Sequence, residues 1–368
     1  MAPRTTATSG ARATRYPDRM TIPAPYLLYL GHSDDEMGLK TSRGLATFRR
    51  GDCVGEWRHD DCPFSFGLPR MDAGDGRLAG ARTLVLGIAN PGGRFPEWLI
   101  DDALTAITAG MNLACGLHQR LRDEPRLVAA AEAFGVELFD VRDAPADLPV
   151  GNGKRRAGNR LLTVGTDCSV GKMYATLCLR DGLRARGIAA DFRATGQTGI
   201  LIAGEGVPLD AVVADFLAGA IETLAPARAD DGWDLIEGQG SLFHPSFAGV
   251  STGLLHGAQP AALVLCHDPV RPHMRGLPHY PMPGLAETLA ENLRVARLTS
   301  PDVRGVGIAL NTIALDEEAA RRLCAETEAA MGLPCTDPFR FGADAIIDEL
   351  LCPATSPDPS TPRTTVSA

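Results

Sequence analysis

The sequence predicts an α/β protein with two parallel-sheet domains, because short apolar runs alternate with amphipathic stretches and this alternation restarts once. The chain has 368 residues, which exceeds one ordinary hydrophobic core and suits two domains. Its 40 glycines and 27 prolines are typical of the many turns that such an alternation needs. We therefore predict one domain over residues 23–148 and another over 149–352, flanked by disordered termini at 1–22 and 353–368.

The first domain is predicted to be a Rossmann-like parallel sheet with helices on both faces. Its strands are short apolar runs closed by glycine, and one helix has a clear end at Gly110. The glycine turns GIANPGG and ACGLHQ follow two of the strands, so Gly92, Gly93 and His118 are candidates for lining a ligand crevice. In chain order the predicted elements are the strands PYLLYLG and TLVLGIA, the helix EWLIDDALTAITAG, the strand MNLACG, the helix EPRLVAAAEAFG and the strand VELFDVR.

The second domain repeats the alternation after a linker. Residues 142–160 hold prolines, glycines and basic residues without an apolar period, and RLLTVG then begins a new series of strands that continues with WDLIEG, AALVLCH and VRGVGIALN. An apolar stripe over residues 209–224 predicts one continuous helix after Pro208. Another helix is predicted from about Asp316, which precedes two acidic residues, to Gly332.

Composition disfavours several classes of function. The net charge of −9 argues against a general nucleic-acid binder, which normally presents a basic face. Nine cysteines are scattered without a C-x-x-C pair, which argues against a disulfide framework and a zinc site and indicates a reducing compartment. No apolar stretch approaches the roughly 20 residues that span a bilayer. We expect a cytoplasmic protein, homo-oligomeric, that acts on a small molecule without a membrane or nucleic-acid partner.

The segment LLTVGTDCSVGKMYATLCL predicts a strand, a tight turn and a helix, which is the context of a P-loop in a three-layer α/β/α domain like that of the P-loop NTPases. Backbone N–H groups of Thr166–Lys172 can converge on a phosphate at the start of the helix, and Lys172 adds a positive charge. Thr166 replaces the usual first glycine. The candidate cofactor-binding residues of this segment are Gly165, Thr166, Asp167, Cys168, Ser169, Val170, Gly171, Lys172 and Met173.

Met173 occupies the position at which a P-loop usually has a serine or threonine, whose hydroxyl binds Mg²⁺. A thioether is a poor ligand for this hard cation. Either the metal is held differently, for example by Glu237 with Asp167, or the ligand is a phosphate ester that is bound without transfer of a γ-phosphate. No firm metal site is predicted.

Polar side chains follow other predicted strands of the second domain, where the ligand crevice of a doubly wound sheet lies. Glu237 ends WDLIEG and is a candidate metal ligand or general base, with a turn carboxylate as the alternative. The glycine-rich loop GQGSLFHPSFAGVSTGLLHG holds His256 and His244, and His244 can serve as a base or simply as a hydrogen-bonding residue. The candidate catalytic residues are Glu237, His244 and Asp167. Asn311, at the end of a strand, is a candidate for binding the cofactor base.

Two segments are candidate substrate loops. In DFRATGQTGILIAG, the Arg193 guanidinium suits a carboxylate and Thr195, Gln197 and Thr198 offer polar groups, although a plain surface loop is the alternative.

The second candidate loop, CHDPVRPHMRGLPHYP, contains Arg271 as a substrate-binding candidate. Its other polar residues include His267, Asp268, His273 and His279. The prolines disfavour a fixed face of metal ligands, so we predict a mobile substrate loop rather than a metal site.

These motifs together resemble a bacterial P-loop family long described as of unknown function, whose characterised members are D-glutamate N-acetyltransferases. The resemblance covers roughly residues 25–350 and is carried by VGTDCSVGKM, RATGQTGI, IEGQGSLFHPSFAGVSTGLLHG, LCHDPVR, GIANPGG and ACGLHQ. The second domain also resembles dethiobiotin synthetase, whose P-loop has the same Gly-Thr-Asp start and Val-Gly-Lys finish.

The family resemblance implies transfer of an acetyl group from acetyl-CoA to the amino group of D-glutamate or a related amino acid. Thr166–Lys172 would then hold the phosphates of coenzyme A, Arg193 and the turn at 197–198 the substrate carboxylates, and Glu237 or His244 the proton of the substrate ammonium. The synthetase resemblance implies instead a ligase or kinase that uses ATP with Mg²⁺. A nucleotide-binding regulatory switch is the third alternative.

Overall fold

A computed structural model describes residues 22–88 and 94–352 of the chain. The predictions made for 1–21, for Gly92 and Gly93, and for 353–368 therefore lie outside the described residues. Within the described residues, no helix combines the length and the apolar composition that crossing a bilayer would require.

Residues 22–158 contain a five-stranded parallel sheet, as the sequence predicts. The strands are β1 Tyr26–Gly31, β2 Cys53–Arg58, β3 Thr83–Leu86, β4 Asn112–Cys115 and β5 Leu138–Asp140. Their order in the sheet is β2-β1-β3-β4-β5, and β1 and β3 are buried along their whole length, as expected when helices cover both faces. The helices are α1 Lys40–Phe48, α2 Ala73–Leu78, α3 Glu97–Thr108 and α4 Pro125–Phe134.

The rest of the described chain contains a six-stranded sheet and a separate antiparallel pair of strands. The strands are β6 Asn159–Gly165, β7 Ala190–Arg193, β8 Trp233–Ile236, β9 Ala262–His267, β10 His273–Met274, β11 Leu277–Pro281, β12 Arg304–Leu310 and β13 Cys335–Thr336. The six-stranded sheet has the order β13-β12-β9-β6-β8-β7, and β10 pairs with β11. The P-loop strand β6 is central and pairs in parallel with β8 and β9. The helices are α5 Lys172–Ala185, α6 Gln197–Ala203, α7 Leu217–Leu224, α8 Ala248–Ala258, α9 Leu285–Ala296, α10 Glu317–Met331, α11 Pro338–Phe341 and α12 Asp344–Leu351.

The described residues form two compact units. The first comprises the residues up to Arg156 with Phe192–Ala227 and His256–Ala258, and the second comprises Ala157–Asp191, Arg228–Leu255 and the residues from Gln259 onward. In the first unit α6 packs on α1. The segment Phe192–Ala227, which the sequence alone assigns to the second domain, thus belongs by contact to the first unit, and the predicted boundary at 148–149 stays a prediction.

The predicted α/β class and most predicted elements are confirmed. The ends of α10 can be predicted because a local signal marks each of them. The Asp316 carboxylate caps the start by accepting from the Ala319 N–H at 2.8 Å, and Gly332 follows the last turn at a φ of 63°. The elements that sequence patterns missed, such as β2, α1, α6, α9 and α12, lack such paired start and stop signals.

The continuous helix predicted over residues 209–224 is wrong. The chain makes two short 3-10 turns, Leu209–Ala211 and Ala214–Phe216, before α7 begins. Val212 and Val213 between them adopt extended backbone angles, as β-branched residues favour. Val213 is 65% exposed and therefore takes no part in a buried stripe.

The two glycine- and proline-rich loops are more regular than predicted. Residues 248–257 of the predicted loop lie in α8, in which Leu254 and Leu255 are buried, and His256 therefore lies on a helix. The predicted mobile loop at 266–281 contains the antiparallel pair β10–β11, closed by the Met282 N–H on the carbonyl of Pro272 at 3.0 Å.

Candidate functional site

The P-loop turn Thr166–Lys172 joins the central strand β6 to α5. Ser169 and Gly171 have positive φ angles of 55° and 96°, and alternation of this kind turns successive N–H groups towards one point. The first helical hydrogen bond runs from the Ala175 N–H to the carbonyl of Gly171. The N–H groups of residues 172–174 precede that bond, so they are the helix-start donors available to an anion.

The Lys172 side chain folds back across the turn. Its ammonium donates to the carbonyls of Asp167 at 2.7 Å and Gly240 at 2.9 Å, and the residue is 7% exposed. Burial lowers the pKa of this ammonium, while nearby thiol and carboxyl groups act in the opposite direction. An ammonium has three donors, so one proton beyond these two bonds can serve an anionic ligand.

Asp167 organises the turn rather than facing outwards. It is fully buried, and its carboxylate accepts from the N–H groups of Cys168 and Arg275, both at 2.6 Å. Arg271 Nη2 lies 3.5 Å from the same carboxylate and donates to the Cys168 carbonyl at 2.8 Å. The Arg275 guanidinium donates to the Ser169 hydroxyl. Two arginines of the predicted substrate loop therefore lie against the P-loop turn and add positive charge to it.

Glu237 follows β8 directly and is 5% exposed. The next residue, Gly238, donates its N–H to the Thr163 hydroxyl at 3.0 Å, and a Cβ there would lie 1.7 Å from the Thr163 carbonyl oxygen. The Thr163 hydroxyl also lies 2.9 Å from that of Thr176, which donates to the Lys172 carbonyl at 2.7 Å. This chain of contacts fixes Glu237 at the carboxyl edge of the sheet, beside the P-loop helix.

His244 is almost fully buried, and main-chain groups engage both of its ring nitrogens. Nδ1 accepts from the Ser246 N–H at 3.2 Å, so the proton is on Nε2, which lies 3.3 Å from the Arg275 carbonyl. Nearby, the Ser241 hydroxyl donates to the Thr166 carbonyl at 2.9 Å. In this arrangement His244 holds loops together, and its catalytic role stays a prediction.

His267, at the end of β9, lies beside the first residue of the turn. Its Nδ1 is 2.9 Å from the Thr166 hydroxyl. Burial lowers the pKa of this imidazole and the Arg271 charge lowers it further, whereas Asp268 acts in the opposite direction. A neutral imidazole therefore borders the P-loop near neutral pH.

Asn311 follows β12 and lies next to the same turn. Its N–H donates to the His267 carbonyl at 2.8 Å, and its Cβ lies 3.5 Å from the place that a Cβ on Gly171 would take. Val170 contributes its side chain to the core of the second unit, and Met173 is half-buried at the position that usually carries a hydroxyl. The strand-end position of Asn311 and the turn thus share one edge, as the sequence predicts for a P-loop domain.

The predicted substrate turn lies in the first unit. Gln197 begins α6, and its side-chain oxygen accepts from Arg142 Nε at 2.6 Å. The same Nε donates to the Gly116 carbonyl at 2.6 Å, and the guanidinium pairs with Asp210. Burial lowers the pKa of the Arg142 guanidinium. Its three acceptors hold this side chain in place.

The neighbouring threonines are buried. The Thr198 hydroxyl lies 2.9 Å from that of Thr41 on α1, and the carbonyl of the fully buried Thr195 accepts from the Leu209 N–H at 3.1 Å. These contacts place Thr195, Gln197 and Thr198 inside the fold of the first unit rather than on a plain surface loop.

Arg193 ends β7 and is half-buried, just before this turn. His118 is in the same unit, and burial lowers the pKa of its imidazole, with further lowering by the charges of Arg142 and Lys40. A neutral ring is therefore the expected state of His118 near neutral pH.

The candidate residues thus fall into two sets, one in each unit. The set in the second unit is the P-loop turn with Glu237, His244, Arg271 and Asn311, and the set in the first unit is Arg193, Thr195, Gln197 and Thr198. Sequence reasoning missed the residues that hold these sets in position. Ser241 and Arg275 stood inside segments already singled out, but no local pattern connects Thr163 with Thr176, or Thr41 and Arg142 with the turn at 197–198.

Comparison with known proteins agrees with this organisation. The family described as "Domain of unknown function (DUF1611_C) P-loop domain" matches residues 149–347, and "Domain of unknown function (DUF1611_N) Rossmann-like domain" matches residues 52–144. A protein of Tritonibacter scottomollicae named D-glutamate N-acetyltransferase is 50% identical over 329 residues, covering 89% of this chain and 99% of its own length. A protein of the same name from a Pseudoalteromonas species is 46% identical over 331 residues, covering 90% of this chain and 100% of its own length.

A solved structure shows the same fold. The crystal structure of a DUF1611 family protein from Anabaena variabilis is 37% identical, has a TM-score of 0.82, and is matched over 99% of its chain and 89% of this one. The resemblance drawn from the sequence motifs is confirmed. With both domain descriptions matched in order and relatives covered from end to end, the chain belongs to the DUF1611 family.

Proposed function

We propose that this protein is an N-acetyltransferase that transfers an acetyl group from acetyl-CoA to the amino group of D-glutamate. Two relatives that carry the name of this activity are 46% and 50% identical, and this chain covers 99% or more of their lengths. That near-complete match is the observation that carries the function. That the acetyl donor is acetyl-CoA is a separate part of the proposal, and the chemistry of the P-loop turn supports it.

Coenzyme A carries a pyrophosphate and a 3′-phosphate, so it needs an anion-binding turn but no transfer of a γ-phosphate. The helix-start N–H groups of residues 172–174 and the ammonium of Lys172 suit such a ligand. Arg271 and Arg275 add two guanidinium groups beside the turn. Met173 offers no hydroxyl to Mg²⁺, which favours a phosphate ester bound without that metal over a nucleotide that is to be cleaved.

The reaction requires a neutral amine, because an ammonium has no lone pair with which to attack a thioester. Glu237 is the base that we assign to it: the carboxylate is buried, follows a central strand and lies at the carboxyl edge of the sheet. The amine nitrogen then attacks the thioester carbonyl carbon, the C–N bond forms, the C–S bond breaks, and the second proton of the amine passes to the departing thiolate. His244 is less suited as the base, since its Nδ1 accepts from Ser246.

The carboxylates of D-glutamate require fixed donors. Arg193 supplies a guanidinium that can bind a carboxylate by two hydrogen bonds. The Gln197 and Thr198 side chains are buried and bond to Arg142 and Thr41, so they support the turn that follows Arg193. Binding of D-glutamate by Arg193, with Thr195, Gln197 and Thr198 in the turn, stays a prediction. Arg142 acts on them indirectly, because it holds Gln197 and Gly116 together.

Mass spectrometry of the product tests the activity directly. The purified full-length chain is incubated with acetyl-CoA and one acceptor at a time. The acceptors are D-glutamate, L-glutamate, D-aspartate and D-glutamine. We expect N-acetyl-D-glutamate and one free coenzyme A thiol for each product molecule. Acetylation of none of these acceptors, or equal rates with D- and L-glutamate, would contradict the proposal.

Thermal shift measurements test the donor separately, because a ligand that binds only the folded state raises the melting temperature. Acetyl-CoA, coenzyme A and ATP are each added with and without Mg²⁺. We expect stabilisation by coenzyme A and acetyl-CoA that does not depend on Mg²⁺. Stabilisation by ATP alone, and only with Mg²⁺, would replace acetyl transfer by a ligase or kinase activity.

A further inference from the structure

The first unit contains a cluster of two histidines and a carboxylate that the acetyl-transfer proposal does not use. His32 follows β1 and His59 follows β2, so both stand at the carboxyl edge of the parallel sheet, and Asp102 faces them from α3. One potential ligand atom from each of these three residues lies within 4.8 Å of the other two. We call His32, His59 and Asp102 the histidine–aspartate cluster.

Hydrogen bonds with neighbouring groups orient the residues of this cluster, as hydrogen bonds from outer residues orient the ligands of a metal site. His32 Nδ1 lies 2.9 Å from both oxygens of the Asp61 carboxylate, so Nδ1 carries the proton and the lone pair is on Nε2. The Tyr29 hydroxyl donates to the Asp102 carboxylate, which also lies 2.6 Å from His59 Nε2. A carboxylate that accepts from the distal nitrogen of a ligating histidine is the usual outer partner of a zinc site.

The surroundings leave the cluster partly open. The side chains of His32 and His59 are 34% and 30% exposed, and that of Asp102 is 17% exposed, so an ion and water can reach them. Aromatic rings form the walls, with Trp98 edge-on to His32 at 5.2 Å and Trp57 tilted against His59 at 6.2 Å between ring centroids. Two imidazoles, one carboxylate and an accessible fourth position are the ligand set of zinc sites that keep a bound water.

We propose that His32, His59 and Asp102 bind one Zn²⁺ ion, with Asp61 orienting His32 and water filling the remaining position. None of these three residues is used by the proposed acetyl transfer, and the protein ligands are histidine and aspartate rather than cysteine. The two imidazoles are stacked in parallel at 3.8 Å, and lone pairs of parallel rings do not converge. Binding therefore turns one ring and replaces the proton that His59 Nε2 shares with Asp102.

Isothermal titration of the metal-stripped full-length protein with Zn²⁺ tests this site. We expect one ion for each chain, and loss of that binding event in His59→Ala and in His32→Ala. His279→Ala is the matched control, because it removes an exposed histidine of β11 and should leave the titration unchanged. Absence of binding to the unmodified protein, or binding that survives both cluster substitutions, would overturn the proposal.

Two further measurements separate a metal site from damage to the fold. Asp61→Asn keeps the shape of the side chain but weakens its hold on His32, so we expect the Zn²⁺ dissociation constant to rise about 10–100-fold without loss of the site. Co²⁺ in place of Zn²⁺ should give the visible absorption bands of a four-coordinate ion, and His59→Ala should abolish them. Spectra of six-coordinate Co²⁺ that are identical in the two proteins would contradict the assigned ligands.

Discussion

The P-loop turn and the histidine–aspartate cluster are both built from polar side chains at the carboxyl edge of a parallel sheet, yet they differ in how the sequence encodes them. The turn is seven consecutive residues between a strand and a helix. The cluster collects residues 32, 59 and 102 from two strand ends and a helix. The difference shows that a site can be predicted from sequence when consecutive residues form it. A site cannot be predicted in this way when only the order of the strands brings its residues together.

The turn is nevertheless less autonomous than its sequence suggests. Lys172 is bound to the carbonyl of Gly240, and Arg275 is bound to both Asp167 and Ser169. A contiguous motif thus supplies the backbone path, while distant residues decide where its charged side chains point. Substitutions in the motif and in residues distant from it measure how much each contributes to stability and to ligand binding.

Gly238→Ala should have the largest effect, although it lies 66 positions after Lys172 in the chain. A Cβ at this position would lie 1.7 Å from the backbone oxygen of Thr163, so β6 and β8 cannot keep their spacing. We expect a loss of about 3 kcal/mol or more in the free energy of unfolding, measured by urea denaturation. Gly249→Ala on α8 is the control, since its Cβ would meet open space and alanine favours a helix by about 0.5–1 kcal/mol. Equal stability of the two variants would show that the backbone contact is dispensable.

Glu237→Gln tests the role of the strand-end carboxylate next to the turn. An amide cannot take a proton from the substrate ammonium, so we expect kcat for acetylation of D-glutamate to fall about 10²–10⁴-fold. The dissociation constant of acetyl-CoA should change little, because the turn is untouched. Glu318→Gln on the exposed face of α10 is the matched control. A loss of acetyl-CoA affinity as large as the loss of kcat would assign Glu237 to binding instead.

Lys172→Met keeps an apolar stem in the buried position and removes the ammonium. Charge-assisted hydrogen bonds contribute about 1.5–3 kcal/mol, so we expect the dissociation constant of coenzyme A to rise about 10–100-fold, measured by isothermal titration. Lys154→Met, in the exposed segment before β6, serves for comparison. Unchanged affinity in the Lys172 variant would place the phosphates of the cofactor away from the turn.

Thr198→Val asks whether a predicted substrate residue is needed for the fold of the first unit. The substitution leaves the buried Thr41 hydroxyl without its partner at 2.9 Å, so we expect a loss of about 1–2 kcal/mol in the free energy of unfolding. The double variant Thr41→Val, Thr198→Val should recover part of this loss, since neither hydroxyl is then left unpaired. Strict additivity of the two single changes would mean that the hydroxyls do not stabilise one another.

The smallest effect should be a dependence of stability on pH that arises at His267. Its pKa in the folded protein lies below the ordinary value of 6.5, so the unfolded chain takes up a proton first as the pH falls. Stability should therefore decrease as the pH falls from 6.5 towards the lower folded pKa, and level off beneath it. His267→Asn should flatten this part of the profile of unfolding free energy against pH, and His279→Asn should not. Identical profiles in all three proteins would contradict a buried neutral imidazole beside the turn.

The sequence by itself determined the α/β class, most strands, the ends of α10 and the P-loop turn. Each depends on short-range physics: apolar periodicity, a capping Asp316, a left-handed Gly332, and a strand–turn–helix segment. These signals act over a few residues, so they can be read without knowing what packs against them. The helix predicted over 209–224 failed because apolar spacing alone does not exclude the extended backbone that Val212 and Val213 adopt.

The tertiary structure alone decided which distant residues act together. It placed Arg271 and Arg275 on the P-loop turn, paired Thr41 with Thr198, and brought His32 and His59 into one stack with Asp102 beside them. Strand order and helix packing set these neighbourhoods, and both follow from the burial of the whole apolar surface rather than from any local segment. The sequence therefore names the chemistry that single segments can offer, and the packed sheets decide which of those groups share a site.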